Sequence, residues 1–230
     1  MSVFFRRRGE PPATFDATFA NNDWSAIIAA CQSGNVPDSW AVGDSKTMTI
    51  NGADYQIDII GKNHDTYTAG GTAPLTFQLH DCYGTKKYAM NKSNTNMTGW
   101  TNCAMRSKHL PAILALMPTE VQNGIREVNK LTSVGGQSAT INTTADKLFL
   151  LSEIEIFGRV SYSKSGEGTQ YDYYKAGNST VKKFNGSALI WRERSPYGSN
   201  SAGFCCVYSG GYATYGNPTY TYGVAFGFCF

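Results

Sequence analysis

Two dipeptides, His64-Asp65 and His80-Asp81, are the residues best suited to chemistry. Each lies near the end of a predicted strand, and an imidazole beside a carboxylate can bind a metal or pass a proton. The same pairing also anchors loops by hydrogen bonding, and loop anchoring is the expectation. Glu153 and Glu155 form a second candidate pair. On a strand, a spacing of two puts both carboxylates on one face, about 7 Å apart. That fits the separation of roughly 5–9.5 Å that flanks a glycosidic bond in glycan hydrolases. Charges on an edge strand, neutralised by Arg159, Arg192 or Arg194, explain the spacing equally, so a structural role is expected. The six cysteines (31, 82, 103, 205, 206 and 229) make no C-x-x-C pair and no zinc-ligand spacing with histidine. They are expected as small apolar residues. G-x-S-x-G, Walker, dinucleotide-binding and H-E-x-x-H patterns are absent. No catalytic residue, metal or cofactor is expected.

A different signature occupies residues 191–230. After Arg194 no charged residue follows, and tyrosines stand at 197, 208, 212, 215, 220 and 222 among Gly, Ser, Asn, Thr and Ala. Tyrosine offers a large, rigid contact area that is apolar on its face and polar at its tip. Ser, Asn and Thr add adaptable hydrogen bonds, and Gly lets loops bend. This is the composition of a recognition surface. At the end, Val224, Phe226, Phe228 and Phe230 alternate with Ala225, Gly227 and Cys229, predicting a strand with its large side chains on one face. That strand would tie down the terminus and leave the tyrosines on the loops before it.

Several elements must support such a surface. A chain of 230 residues that is 41% hydrophobic can bury a substantial core, while 16% charged residues imply a neutral polar exterior. A net charge of +3, with one short basic run at Arg6–Arg8, gives no reason to expect nucleic acid. No apolar stretch reaches membrane-spanning length, and the N-terminus lacks a signal-peptide pattern. Residues 1–22, with Pro11-Pro12, Phe15 and Phe19, suggest an irregular arm that packs on a neighbour. Asp23 precedes a helix over Trp24–Gln32 ending at Gly34. Lys46–Ile50 and Tyr55–Ile60 predict a hairpin turned by Asn51-Gly52. Leu75–Leu79 and Val128–Thr132 predict strands, and residues 133–144 a loop. Short helical segments lie over 102–128, with Pro111 in a first turn and a capping-box pattern at Thr119–Gln122. Lys147–Ser152 predicts a buried strand that continues through the two glutamates. The class is α+β.

The pieces Trp191-Arg192-Glu193-Arg194-Ser195-Pro196 and Gly223-Val224-Ala225-Phe226-Gly227-Phe228 resemble the C-terminal signature of C-type-lectin-fold domains from gut phages and bacteria. Trp40–Asp44, Gly61–Asp65, Met90-Asn91, Gly99-Trp100 with Met105-Arg106, and Leu150–Gly158 resemble that group as well. The likeness covers about residues 24–230 and extends to the variable proteins of diversity-generating retroelements. There, adenine-directed copying errors turn Asn codons ending in a pyrimidine into other pyrimidine-ending codons. Such codons never encode Lys, Gln, Glu, Met or Trp, and residues 195–230 contain none of the five.

The resemblance implies a C-type-lectin-like domain with short helices, small antiparallel sheets and long structured loops. An N-terminal arm and short helix (1–36) would precede the ligand-binding domain (37–230), whose variable region spans about 191–230. Ligand-contacting candidates are Tyr197, Ser199, Asn200, Ser201, Phe204, Cys205, Tyr208, Tyr212, Thr214, Tyr215, Asn217, Thr219, Tyr220 and Tyr222. Trp191, Arg194, Val224, Phe226 and Phe228 would be fixed frame. Neither Glu-Pro-Asn nor Trp-Asn-Asp is present, so calcium-dependent sugar binding is not implied. The expected function is a non-catalytic receptor-binding protein of a phage tail tip or fibre. Its partners would be a host surface protein or glycan, other virion tail proteins and further copies of itself. The alternatives are a formylglycine-generating-type or glycan-acting enzyme, and a structural baseplate or adhesin protein.

Overall fold

The computed structural model describes residues 14–84 and 86–230. Helix α1 (Trp24–Ser33) buries Trp24, Ile27, Ala30 and Cys31 along one stripe. Gly34, at φ 72°, ends it in the left-handed conformation that a side chain would resist. Strands β1 (Ser45–Ile50) and β2 (Ala53–Lys62) form the expected hairpin, with Asn51 and Gly52 both at positive φ. Strand β3 (Leu75–Leu79) is buried throughout. A π-helical turn over Met105–His109 runs into α2 (Leu110–Leu114), with Pro111 in its first turn. In α3 (Thr119–Gly124) the predicted capping box does not form: Pro118 holds the N-cap position and no side chain caps the helix.

Strand β4 (Val128–Ser133) pairs with β5 (Ile141–Asp146), which falls largely within the segment expected to be a loop. The inward positions of β5, Thr144 and Asp146, are polar, so no apolar alternation announced it. Residues 147–152 do not form the expected strand; only Phe149 bridges to Gly227. Glu153–Phe157 is helix α4 rather than a strand extension. The capping box belongs here: Ser152 Oγ accepts from the Glu155 amide at 3.2 Å, and the Glu155 carboxylate accepts from the Ser152 amide at 3.0 Å. Helix α5 (Asp172–Lys175), β6 (Lys182–Phe184) and β7 (Ser187–Leu189) lead to β8 (Trp191–Pro196), β9 (Phe204–Val207), β10 (Ala213–Gly216) and β11 (Gly227–Cys229).

The strands make a four-stranded sheet ordered β1-β2-β3-β11, a three-stranded sheet ordered β10-β9-β8, and the hairpins β4-β5 and β6-β7. All pairings in these sheets are antiparallel. The protein is therefore α+β, with short helices and small antiparallel sheets. The C-terminal aromatics pack as expected: Phe228 and Phe230 each lie 5.3 Å from Phe77, with Phe226 beside Phe228 at 6.4 Å. Only Gly227–Cys229 is regular strand, and residues 223–230 are buried on both faces.

Phe19 packs on Trp40 at 5.3 Å, and Trp24 meets both Phe77 and Phe230 edge-on. Helix α1 and the residues before it, from Phe15, pack against the main core. The Arg6–Arg8 run and Pro11-Pro12 lie outside the described residues. Among the described residues, no helix is long and apolar enough to cross a membrane.

Candidate functional site

Strand β8 carries Arg192, Glu193 and Arg194 in succession, all fully buried. Buried charges need partners, and the strand's geometry supplies them for the two arginines. The β8–β9 register shifts between Arg192 and Pro196, which pair with Cys206 and Phe204. Four steps on β8 thus face two on β9, and the bulge turns Arg194 away from β9. Its amide bonds to the Leu151 carbonyl at 2.9 Å. Its guanidinium forks onto Glu155, with Nη2 at 2.8 Å from Oε1 and Nη1 on Oε2. The remaining donors reach Thr132 Oγ1 and the carbonyls of Leu131, Leu150 and Glu167, at 2.9–3.0 Å. Lys130 Nζ bridges Glu155 at 2.7 Å and Asp65 at 2.8 Å. Burial pushes the Asp65 carboxyl up, but Lys130, Thr76 and Tyr171 outweigh it and hold the group at about 2. One ionic chain, Asp65–Lys130–Glu155–Arg194, thereby ties β4, α4 and β8 to the turn after β2.

Two other buried polar side chains hold the loops that emerge from this frame. Asn96 donates from Nδ2 to the carbonyls of Tyr197, Asn200 and Gly203, at 3.1, 3.0 and 2.7 Å. Arg192 donates from Nη2 to the carbonyls of Asn217 and Tyr220, at 2.7 and 2.6 Å, and lies 4.2 Å over the Tyr222 ring. Both side chains grip main-chain atoms. These anchors on loops 197–203 and 216–220 are made to the backbone and not to the loops' side chains.

On this support the sequence candidates separate. Tyr208, Tyr212, Tyr215 and Tyr220 are between 39% and 58% exposed. Ser199 and Asn200 are exposed, and Tyr197, Ser201, Thr214, Asn217, Thr219 and Tyr222 half-buried. Phe204 and Cys205 correct the expectation: both are fully buried in β9 and belong to the frame. Tyr197 and Tyr215 stack at 4.0 Å, and Tyr208 stacks on Tyr212 at 4.7 Å. Tyr220 and Tyr222 meet edge-on at 6.4 Å on the other side of β10, where Tyr222 covers Gly216. The amide oxygens of Asn200 and Asn217 are occupied by local turns, accepting from Ala202 and Thr219.

Sequence reasoning missed Tyr162, whose ring lies 6.0 Å from Tyr197 and 5.2 Å from Tyr215. It completes a three-ring cluster from outside the terminal stretch. Its short Tyr/Ser context, Ser161-Tyr162-Ser163, was the available signal. Glu153 positions it: the carboxylate accepts from the amides of Tyr162 and Ser163, at 3.0 and 2.8 Å, and from Ser163 Oγ at 2.7 Å. Glu153 and Glu155 thus serve as anchors, both buried and both in a helix. The histidine dipeptides also anchor loops. His80 Nδ1 lies 2.7 Å from Asp58, a bond that raises its pKa, while Asp81 accepts from the Lys183 amide. His64 stacks on Tyr171 at 4.0 Å. Among the described residues, no group of His, Cys, Asp and Glu is arranged to hold a metal.

Beneath the tyrosines one charge stands apart. Neither carboxylate oxygen of Glu193 has a hydrogen-bond partner among the described residues. Burial, then the nearby Glu153 and Glu167, push its carboxyl well above the usual range. Burial likewise pushes Glu167 up to about 7, against the hydrogen bonds from Ser195 and Ser133. Unfolding lets Glu193 ionise above about pH 4.3. Its neutral form therefore contributes stability that is complete below that pH and is lost as pH rises toward the folded value. Glu167 acts in the same direction up to about pH 7. Glu193→Gln should raise the melting temperature at pH 8 by about 4 °C, corresponding to about 1–2 kcal/mol, with little change at pH 4. Melting curves at the two pH values check this; an equal shift at both contradicts it.

The fold and this surface define an α+β protein in which a buried ionic frame carries a neutral tyrosine face. A family described as a domain of unknown function, DUF6273, matches residues 75–229. The chain belongs to that family. The matched region runs from β3 through β11 and includes Lys130, Glu155 and Arg194 of the frame, though not Asp65, together with both loops. No curated protein and no solved structure gives a significant match.

Proposed function

We propose that this protein is a non-catalytic recognition module of the C-type-lectin-like kind, similar to the variable proteins of diversity-generating retroelements. It serves at a phage tail tip or fibre and binds a host surface protein or glycan through the tyrosine face. One observation carries the reading. Asn96 and Arg192 hold loops 197–203 and 216–220 by their carbonyl groups, so these anchors do not depend on the side chains the loops carry. A surface built to vary requires that independence. The exposed aromatic and neutral polar residues suit binding, because large rigid rings lose little rotational freedom on contact.

Sequencing this gene and its surroundings across one natural population tests the proposal. The expected result is adenine-directed change at the codons for Tyr197, Tyr208, Tyr212, Tyr215 and Tyr220. Codons for Asn96, Arg192 and Arg194 should stay constant, and a reverse-transcriptase gene and an imperfect copy of the terminal coding segment should lie nearby. A terminal segment no more variable than the rest, with no such repeat, overturns it.

A further inference from the structure

A cavity lined by tyrosines from a different part of the chain lies beside the β1-β2 turn. Its volume is about 330 Å³, at the lower end for small-molecule sites. Tyr55, Tyr83 and Tyr88 line it with Lys86, and Ile50 and Leu116 supply apolar wall. The rings of Tyr55 and Tyr83 lie 5.2 Å apart. The hydroxyls of Tyr55 and Tyr88 converge on Gly84. Its amide donates to the Tyr55 oxygen at 3.1 Å, and the Tyr88 oxygen lies 3.8 Å from where a Gly84 side chain would begin. Because the Tyr55 oxygen accepts from Gly84, its own proton is left to donate elsewhere. Among the described residues, no protein group pairs with the hydroxyls of Tyr83 or Tyr88, which reach the open space of the cavity.

The charge at the rim is positive. Lys86 Nζ sits 5.5 Å over the Tyr88 ring, and His109 packs edge-on against the same ring at 5.4 Å. Burial and then the nearby Lys108 and Lys86 lower the His109 pKa. Asp54, the nearest acid along β2, alternates to the other strand face and is tied to Thr49 at 2.6 Å. Hydroxyl donors, a cationic rim and an apolar wall match a small carboxylic acid carrying a ring.

We infer that this cavity binds a small ring-bearing carboxylate, its oxygens taken by the tyrosine hydroxyls and Lys86 and its ring lying against Ile50 and Leu116. The site shares no residue with the tyrosine face, so it stands or falls independently of the proposed recognition role. Phenylacetate is a suitable probe and phenylacetamide its neutral counterpart, titrated against the 230-residue chain by ligand-observed NMR. A ligand of this size should bind with a Kd of about 1 mM. The amide should bind at least about threefold more weakly, since charge-assisted bonds are the stronger ones. Tyr55→Phe should weaken phenylacetate about tenfold, the worth of one hydrogen bond to a charged group. Lys86→Met should weaken it about threefold, leave the amide unchanged and remove most of the salt dependence. Both substitutions preserve shape; Lys86→Met should leave the melting temperature near that of the parent, and Tyr55→Phe should lower it by only about 2–4 °C for the lost Gly84 bond. No binding of phenylacetate at about 10 mM overturns the inference. So does equal binding of acid and amide, or binding that neither substitution alters.

Discussion

Replacing Arg194 by Met should destabilise the protein by about 3–5 kcal/mol, lowering its melting temperature by roughly 6–20 °C. The guanidinium is fully buried and all its contacts are made: two to Glu155, one to Thr132 and three to carbonyls. Without it, Lys130 is the cation that Glu155 and Asp65 share among the described residues, in a region closed to water. The Glu155 carboxyl, held down against burial by Arg194 and then Lys130, would lose the stronger of these two cations. Lysine at the same position cannot make the two-pronged contact and should recover only part of the loss. Combining Arg194→Met with Glu155→Gln should cost less than the sum of the single changes, because the uncompensated charge goes with its partner. Urea unfolding of the four proteins measures this. A loss below about 1 kcal/mol for Arg194→Met would show that the ionic chain does not hold the frame.

Much of this architecture was legible in the residues, and the failures share a cause. Asn51-Gly52 fixed the β1-β2 hairpin because both residues adopt positive φ. The stripe through Trp24, Ile27 and Cys31 fixed α1, and the terminal tyrosines marked the surface. Glu153-Ile154-Glu155-Ile156 has the alternation of a strand yet forms a helix. What decides it is the Ser152–Glu155 capping box together with an ion pair to Arg194. Period two and a five-residue helix cannot be separated without knowing that second partner. Strand β5 was hidden because its buried positions are Thr144 and Asp146, satisfied by contacts such as Trp100 Nε1 to Asp146 at 2.9 Å. Asn96 and Tyr162 escaped notice for the same reason. Asn96 acts on residues more than a hundred positions away, and neither it nor Tyr162 stands out locally. Phe204 and Cys205 were misplaced because composition marks a segment while strand pairing decides which of its residues face inward.

Binding should respond to the opposite class of residue. Tyr197, Tyr212 and Tyr215 contribute rings to the exposed face and make few contacts with the frame. Aromatic residues at the centre of an interface commonly contribute 2 kcal/mol or more each, so losing three should weaken binding at least about a thousandfold. Their ring–ring stacking on the free protein contributes about 1–2 kcal/mol in total, so the melting temperature should fall by only about 2–8 °C. The direct test pairs two readings on one variant, Tyr197→Ser/Tyr212→Ser/Tyr215→Ser. Fluorescently labelled protein is titrated onto intact cells from a panel of gut bacteria, and the same samples are melted. Saturable binding by the parent, lost in a variant that still unfolds cooperatively near the parent temperature, is the predicted result. Undiminished cell binding by the folded variant would contradict the assignment of recognition to this face.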